Sequence, residues 1–429
     1  MTRMASKSQR SVGFREAPSI EGDQAAPWPA VAHGIVLAGV HSWGDCLLDE
    51  VICRPAIPIA GEPLVCHALR WLHDYGIRTA SLCANSDTGY LRRCLQDGNE
   101  LGLALEYYED VMPRGPAGSL RDAALVSPAE LFVVIYGTVV PRLDLVTLLA
   151  AHRTADACVT VVATRSGTRR RATEGDLEPA GIYVFSREAL KLVPAKGYQD
   201  IKETLLPHLY AQGKRVITHV VGHCAAGRVL DTPSYISVCR WAVTRMSRES
   251  GMDSQYLRRD EAWIHETAHV SPTAQLIGPM IIEPDCVVGA EALIVGPTTV
   301  GAGSTLGPRT VVSRSIIWSG CQIGSNAILD DCVLTDGTRI DAGTVVRGTV
   351  CANLGNGRPG LPAVATSRIS AGKPAQASVL THSNAGRRPY PVWNAGPLTT
   401  FSPATTHAAP LHGPGAAQHS LEGAGEHHG

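Results

Sequence analysis

What this chain has little of narrows it first. It carries almost no net charge: 38 Lys and Arg stand against 39 Asp and Glu, leaving −1 over 429 residues. A binding protein for nucleic acid or an anionic membrane surface shows a broad basic footprint, and none is present. No apolar run approaches the length of a membrane span, and the start, Met1-Thr-Arg-Met-Ala-Ser-Lys, has no apolar core of a secretory signal. A cytoplasmic location is therefore expected, with neither nucleic acid nor membrane as partner. The twelve cysteines form no C-x-x-C pair. A chain this long buries enough apolar surface without disulfide staples, so reduced, mostly buried thiols are expected.

A residue pattern dominates the second half. Val270, Leu276, Ile282, Val288, Ile294, Val300, Leu306 and Val312 recur at strict six-residue intervals. After one-residue slips the series continues through Ile317, Ile323 and Leu329, then through Leu334, Ile340 and Val346. Small residues follow many of them by four places: Ala274, Cys286, Ala292, Thr298, Ser304 and Thr310. Such a period predicts a parallel β-helix in which each hexad forms one short face and sends its aliphatic residue to the axis, giving roughly four to five coils.

The first half reads differently. Ile35, Val36 and Leu37 form a short apolar run closed by Ala38-Gly39, a buried strand with a sharp turn at its carboxyl end. A helix is expected from Leu64, ending at Gly76, and a strand over Ile77 to Cys83. Further strands are expected at Leu103 to Tyr108, Leu131 to Tyr136 and Ala157 to Ala163, with helices over Ser119 to Val126 and Leu143 to His152. The alternation predicts an α/β layered, mainly parallel sheet, in which ligands bind beyond the carboxyl ends of the strands. The expected divisions are a disordered arm at 1–30, the α/β domain at 31–250, a connector at 251–266, the β-helix at 267–353 and a disordered tail at 354–429, rich in Gly, Pro, Ala and His.

Several stretches now carry a resemblance. Gly34-Ile-Val-Leu-Ala-Gly39, then Arg54-Pro55-Ala-Ile-Pro58-Ile-Ala-Gly61-Glu-Pro63-Leu64, resembles the opening of the sugar-1-phosphate nucleotidyltransferases, L-A-G-G-x-G-T-R followed by P-K-P-L-x-P-V-x-G-K-P-L. Gly115-Pro-Ala117-Gly118-Ser-Leu120 stands at the family's G-T-A-G-A-L, a turn whose backbone reads the base, and Glu178-Pro-Ala-Gly181-Ile-Tyr-Val-Phe185 at its N-A-G-I-Y-V-F, part of the sugar pocket. The resemblance implies a Rossmann-like nucleotidyltransferase domain followed by a left-handed hexapeptide β-helix. It also implies a nucleotide or nucleotide-sugar ligand, and a homo-oligomer, or a hetero-oligomer with an active nucleotidyltransferase, joined through the β-helix. Residue by residue it gives Leu37, Ala38, Gly39, Gly115, Ala117 and Gly118 to the nucleotide, Gly181 and Asp231 to the sugar, and Arg54 to catalysis at the place of the family lysine.

The chain also departs from that pattern. Val40, Ser42 and Trp43-Gly44 replace the second and third glycines and the Thr-Arg of the loop, whose bare amides and guanidinium grip phosphate. The N-G-D that ends the third motif strand is Tyr136-Gly137-Thr138, so the family's magnesium-binding Asp is a neutral hydroxyl. The E-K-P motif is absent, and Arg169-Arg170-Arg171 lies in a shortened segment, expected to be a solvated loop. D-x-G-T-P is Val229-Leu-Asp231-Thr-Pro233, its carboxylate displaced by two positions, and the reading of Asp231 as a turn residue that helps to cap the following helix is favoured over a sugar contact. Arg54 is open between a phosphate contact and a rim charge. No resident cofactor or metal site is expected; Mg2+ would enter only with turnover.

Three functions follow as expectations. The chain is an enzyme making NDP-sugar and pyrophosphate from NTP and sugar-1-phosphate through an altered site, or a relative with lost or reduced catalysis and a regulatory or scaffolding role. Physically the second fits best, because residues that hold the fold survive and residues that do the chemistry do not. A β-helix acyltransferase is the third, disfavoured because no His lies between Val270 and Val350. His265-Glu-Thr-Ala-His269 matches the zinc-peptidase pattern H-E-x-x-H, but Val270-Ser-Pro272 opens the first hexad, so no helix is expected to put the two imidazoles on one face.

Overall fold

The computed structural model describes residues 32–39, 47–84, 89–109, 114–165, 177–222, 226–248 and 254–353. The expected arm and tail, the Val40 to Gly44 loop and the Arg169 to Arg171 run lie outside them.

Seven strands make the central sheet: β1 (Ala32–Leu37), β2 (Thr79–Ala84), β3 (Ala104–Glu109), β4 (Leu131–Tyr136), β5 (Val159–Arg165), β6 (Leu177–Ser186) and β7 (Val216–Val221), in the spatial order β7-β5-β6-β4-β1-β2-β3. All neighbours are parallel except β6, which runs antiparallel to both β4 and β5. Strand alternation divides the core. Val36, Val133 and Ile135 point to one face with helix α1 (Leu64–Asp74), whose Leu64, Ala68, Leu69 and Leu72 are buried there. Ile35, Leu37, Phe132 and Val134 point to the other, against Ala117, Leu120, Ala123 and Ala124 of helix α2 (Gly115–Val126). Covered on both faces, these strands need apolar residues at nearly every position, which is why they read as continuous runs. His33 is the polar exception on β1. Its ring nitrogens meet Thr79 Oγ1 at 2.8 Å and Ser81 Oγ at 2.9 Å, and burial lowers its pKa to about 4.

Helix α3 (Leu145–Thr154) starts under a cap in which Asp144 accepts from the amides of Val146 and Thr147. Helix α4 (Thr232–Arg248) then leads to the second half. Residues 254–266, expected as part of a connector, instead hold an antiparallel hairpin, β8 (Tyr256–Arg259) with β9 (Ala262–His265), and β9 pairs in parallel with Met280–Ile282. The β-helix sheet thus begins before the hexad pattern becomes legible.

From there every turn of chain adds one short strand to each of three parallel sheets. The hexad aliphatics point inward: Ile282, Val288, Ile294, Val300, Leu306, Val312, Ile317, Ile323, Leu329, Leu334, Ile340 and Val346 form one buried column with Cys286, Cys321 and Cys332. Val288 pairs with Leu306 eighteen residues on, and Leu306 with Ile323 seventeen on, so each slip in the sequence shortens one coil by a residue. His265 ends a strand and His269 begins another, confirming that the H-E-x-x-H segment is not helical.

Helix α4 joins the two halves. Trp263 donates from its indole to the Met246 carbonyl at 2.9 Å, and Trp318 donates to the Tyr235 hydroxyl at 2.8 Å. Tyr235 in turn donates to the Pro58 carbonyl at 2.9 Å. No helix among the described residues is long and apolar enough to cross a membrane.

Candidate functional site

The chain runs outward from β1 to β2 and β3, then returns to place β4 on β1's other side. The reversal opens a crevice at the carboxyl ends of β1 and β4, where open α/β sheets take ligands. Backbone bonds stitch its floor: Gly137 donates to Leu37 O at 2.9 Å and Ala38 to Cys83 O at 2.7 Å. Leu37 and Ala38 are buried and Gly39 half-buried. Pro55, in the short 3-10 turn Arg54–Ala56, packs so closely that a Cβ on Gly137 would sit 3.4 Å from its Cβ and 3.4 Å from Ala38 Cα. Leu37, Ala38, Gly39, Arg54 and Thr138 therefore share one crevice. On the far side, the Val229 amide donates to Thr138 O at 2.9 Å, and the Val229 side chain is fully buried.

The glycines at 115 and 118 have a local explanation. Gly115-Pro-Ala-Gly-Ser is the first turn of α2, which begins a turn earlier than the sequence suggests, and not an open loop. Gly115 has φ +78°, and a Cβ on it would lie 2.5 Å from the Gln199 carbonyl oxygen. That oxygen accepts the Ala117 amide at 3.0 Å, while Gln199 donates to Arg114 O at 2.6 Å. Ala117 and Gly118 are buried beneath this strap, so the amide at 117 is already engaged.

Gly181, on β6, has φ +83° and faces Val139 and Tyr136; a Cβ would meet Val139 Cγ2 at 3.0 Å. Beside it is a polar cluster that the sequence did not reveal. Tyr136 and Tyr183 stand edge to face at 6.3 Å, and the Arg228 guanidinium lies 5.3 Å from the Tyr136 ring. Burial pushes the Tyr136 phenol up, as does Asp200, while Arg228 opposes the shift. Burial, then repulsion from Arg228, holds the Lys202 ammonium below its ordinary range, against Asp200 and Glu178. The buried Tyr183 hydroxyl has no hydrogen-bond partner among the described residues. The one available signal was position, since Arg228 directly precedes Val229 and Lys202 follows the helix-capping Asp200.

Asp231 falls outside this cluster. It caps α4, its Oδ1 accepting from the Ser234 amide at 2.8 Å and from the Ser234 hydroxyl at 2.6 Å. A hard divalent cation needs several anionic or carbonyl oxygens. The crevice offers the neutral Thr138, the aliphatic Val229 and a carboxylate turned to Ser234, and no group of three His, Cys, Asp or Glu converges among the described residues. These residues do not fit a magnesium site.

A Nucleotidyl transferase family model matches residues 48–175, and a model of the GMPPB C-terminal domain matches residues 259–355. The chain belongs to the sugar-1-phosphate nucleotidyltransferase family. It is similar to the mannose-1-phosphate guanylyltransferase of Mycobacterium tuberculosis, 24% identical over 65% of this chain and 77% of that protein. It is also similar to the UTP–glucose-1-phosphate uridylyltransferase of Synechocystis sp., 22% identical over 68% and 86%, and to the bifunctional protein GlmU of Exiguobacterium sp., 24% identical over 64% of each. Among solved structures, HddC from Yersinia pseudotuberculosis aligns at 17% identity with a TM-score of 0.41, over 48% of this chain and 97% of that one.

Proposed function

We propose that this nucleotidyltransferase-family protein of nucleotide-sugar metabolism has lost, or much reduced, its catalysis and acts as a regulatory or scaffolding subunit. The observation that carries the reading is Thr138, a neutral hydroxyl where the resemblance places the magnesium-binding Asp, with its carbonyl bonded to the amide of the buried, aliphatic Val229. Phosphoryl and nucleotidyl transfer depend on positioning and on positive charge at the phosphates. Removing one such electrostatic contributor commonly costs about 10²–10³ in rate, and here the metal Asp, the loop glycines, the loop Arg and the E-K-P segment differ together. The engaged amide of Ala117 points the same way.

The alternative is an active enzyme with an altered site. Arg54 at the crevice rim, with Arg228 and Lys202 beside Tyr136, favours it, because guanidinium and ammonium groups bind phosphate without metal. Association, with another copy or with an active relative, is read as running through the β-helix. Incubation of the full chain with each NTP, Mg2+ and a panel of sugar-1-phosphates, with pyrophosphate release recorded, separates the readings. No release above a no-enzyme control is expected, and turnover comparable to an ordinary family member rejects the proposal.

A further inference from the structure

The cluster beside Gly181 holds more hydrogen-bond donors than the chain uses. Arg228 ends the short strand Ala226–Arg228, which pairs antiparallel with Val139–Pro141 and sets Arg228 opposite Val139, so the backbone holds its guanidinium beside the Tyr136 ring. Gly181 packs on that ring, where a Cβ would lie 3.3 Å from Tyr136 Cδ2, and this fixes the ring in place. Lys202 enters from the turn Ile201–Leu205, which Asp200 caps by accepting the amides of Lys202 and Glu203 at 2.7 and 2.9 Å. Its ammonium lies near enough to Arg228 for the two cations to repel. The fully buried Tyr183 hydroxyl and the buried Arg228 Nε have no hydrogen-bond partner among the described residues. Burial raises the Tyr183 phenol well above its ordinary range, and Tyr136, Arg228 and Asp200 act on it next, so its oxygen ends in the same cluster. Repelling cations and buried donors left unmade are both unfavourable, and an anion among them relieves both.

We propose that Arg228, Lys202 and the hydroxyls of Tyr136 and Tyr183 form a site that takes a phosphate dianion without a metal, either the free ion or the phosphate of a small monoester. The donor set decides the class. A carboxylate presents two oxygens in one plane, whereas a guanidinium fork, an ammonium and two phenols approach here from separate strands and a helical turn, and suit the three terminal oxygens of a monoester. Two cations match its charge of about −2 at neutral pH. The acids nearby do not cancel them: Asp200 is engaged by its two amides, and Glu178 and Glu203 are exposed, where water and salt screen them. None of the four residues is among those that the resemblance gives to nucleotide, sugar or catalysis. The inference deepens the reading of the crevice as unfit for magnesium and rests on it, since side chains here bring to a phosphate the positive charge that a cation would bring.

Calorimetric titration of the full chain in chelator, with inorganic phosphate, glucose 1-phosphate and glucuronate as probes up to about 10 mM, tests it. Both phosphates are expected to bind, with affinities that Mg2+ in place of chelator does not change, and the carboxylate at least about 10-fold more weakly. Tighter glucose 1-phosphate identifies the monoester as the ligand and equal affinities the free ion; either supports the site. Arg228→Met and Lys202→Met are each expected to weaken phosphate by at least about 10-fold, as loss of a charge-assisted bond does, with Lys202→Arg near wild type. Because Met at 228 could disturb folding, Tyr183→Phe is the second variant. Removing an unsatisfied hydroxyl should leave the anion-free chain at least as resistant to urea as wild type, while phosphate binds about 5-fold more weakly. The proposal is overturned by no binding of either phosphate in chelator, by binding that needs Mg2+, by glucuronate binding as tightly, or by an unchanged affinity in both Arg228→Met and Tyr183→Phe. The pyrophosphate assay keeps the two readings apart: release alongside phosphate binding in chelator overturns the loss of catalysis and keeps the site, and neither release nor binding does the reverse.

Discussion

The amide of Val229 donates to the carbonyl of Thr138 at 2.9 Å, which brings together two distant stretches of sequence, the ends of the segments that resemble the family's N-G-D and D-x-G-T-P motifs. With a hydroxyl and an isopropyl group there, Mg2+ and chelator are expected to leave the melting temperature of the wild-type chain unchanged. The double variant Thr138→Asp, Val229→Asp is expected to melt lower in chelator, because a buried unpaired carboxylate is costly, and to recover with Mg2+. At ten times the dissociation constant the recovery is about 1.4 kcal/mol. Thermal melts with and without Mg2+ check this; a metal-dependent shift in the wild-type chain contradicts the reading of the site.

Asp231 makes two cap bonds to Ser234, so its effect should be on α4 and not on ligand. Asp231→Ala is expected to cost about 1 kcal/mol of stability, whereas Asp231→Asn, which caps equally well, leaves stability near wild type. Calorimetric titration with sugar-1-phosphates should give the same result for wild type and Asp231→Asn. A selective loss of binding in the Asn variant would return Asp231 to the sugar pocket.

Most of the architecture was legible because its periods are strong. Leu131 to Tyr136 is a strand in sequence and structure alike, and the hexad aliphatics from Ile282 to Val346 all lie in the axis. The hairpin at Tyr256–His265 was missed because it joins the β-helix edge before any hexad repeats, leaving no period to detect. The site was legible only where local chemistry marks it. Leu37 to Gly39 follow an apolar strand, but the strap that Gln199 lays over Ala117 depends on a contact between residues far apart in sequence. The grouping of Tyr136, Lys202 and Arg228 arises in the same way from the order of strands, which no single stretch encodes.

Glu283 gives the junction of the two halves a pH dependence of unusual sign. Its Oε2 accepts from the Tyr256 hydroxyl at 2.6 Å, and its Oε1 lies where a Cβ on Gly61 would be 2.5 Å away. Burial raises its pKa to about 7, the Tyr256 bond opposes the rise, and Glu62, itself paired with Arg70, adds to it. A carboxyl whose folded pKa lies above its unfolded value binds more protons when folded. Its contribution is therefore full below about pH 4.5 and lost as pH rises through about 7. The span is on the order of 3 kcal/mol. Glu283→Gln is expected to flatten this slope, so denaturation midpoints of variant and wild type should diverge between pH 5 and pH 8. Parallel curves across that range would show that Glu283 ionises as freely folded as unfolded.

Tyr235 ties three segments together through one oxygen. Its hydroxyl accepts from the Trp318 indole at 2.8 Å and donates to the Pro58 carbonyl at 2.9 Å, so the β-helix, α4 and the turn after Arg54 share a single buried hinge of hydrogen bonds. Tyr235→Phe strands the Trp318 indole and leaves the Pro58 carbonyl only the weak Cys239 thiol at 3.9 Å, and a buried unsatisfied group costs about 1–3 kcal/mol. Trp318→Phe removes only the donor and leaves Tyr235 free to serve Pro58, so it should cost less in hydrogen bonding. In the double variant the indole is no longer stranded, so the two losses should not add. A double-mutant cycle from urea denaturation is expected to return a coupling of about 0.5–3 kcal/mol. If the losses sum, the indole and the phenol contribute to stability independently.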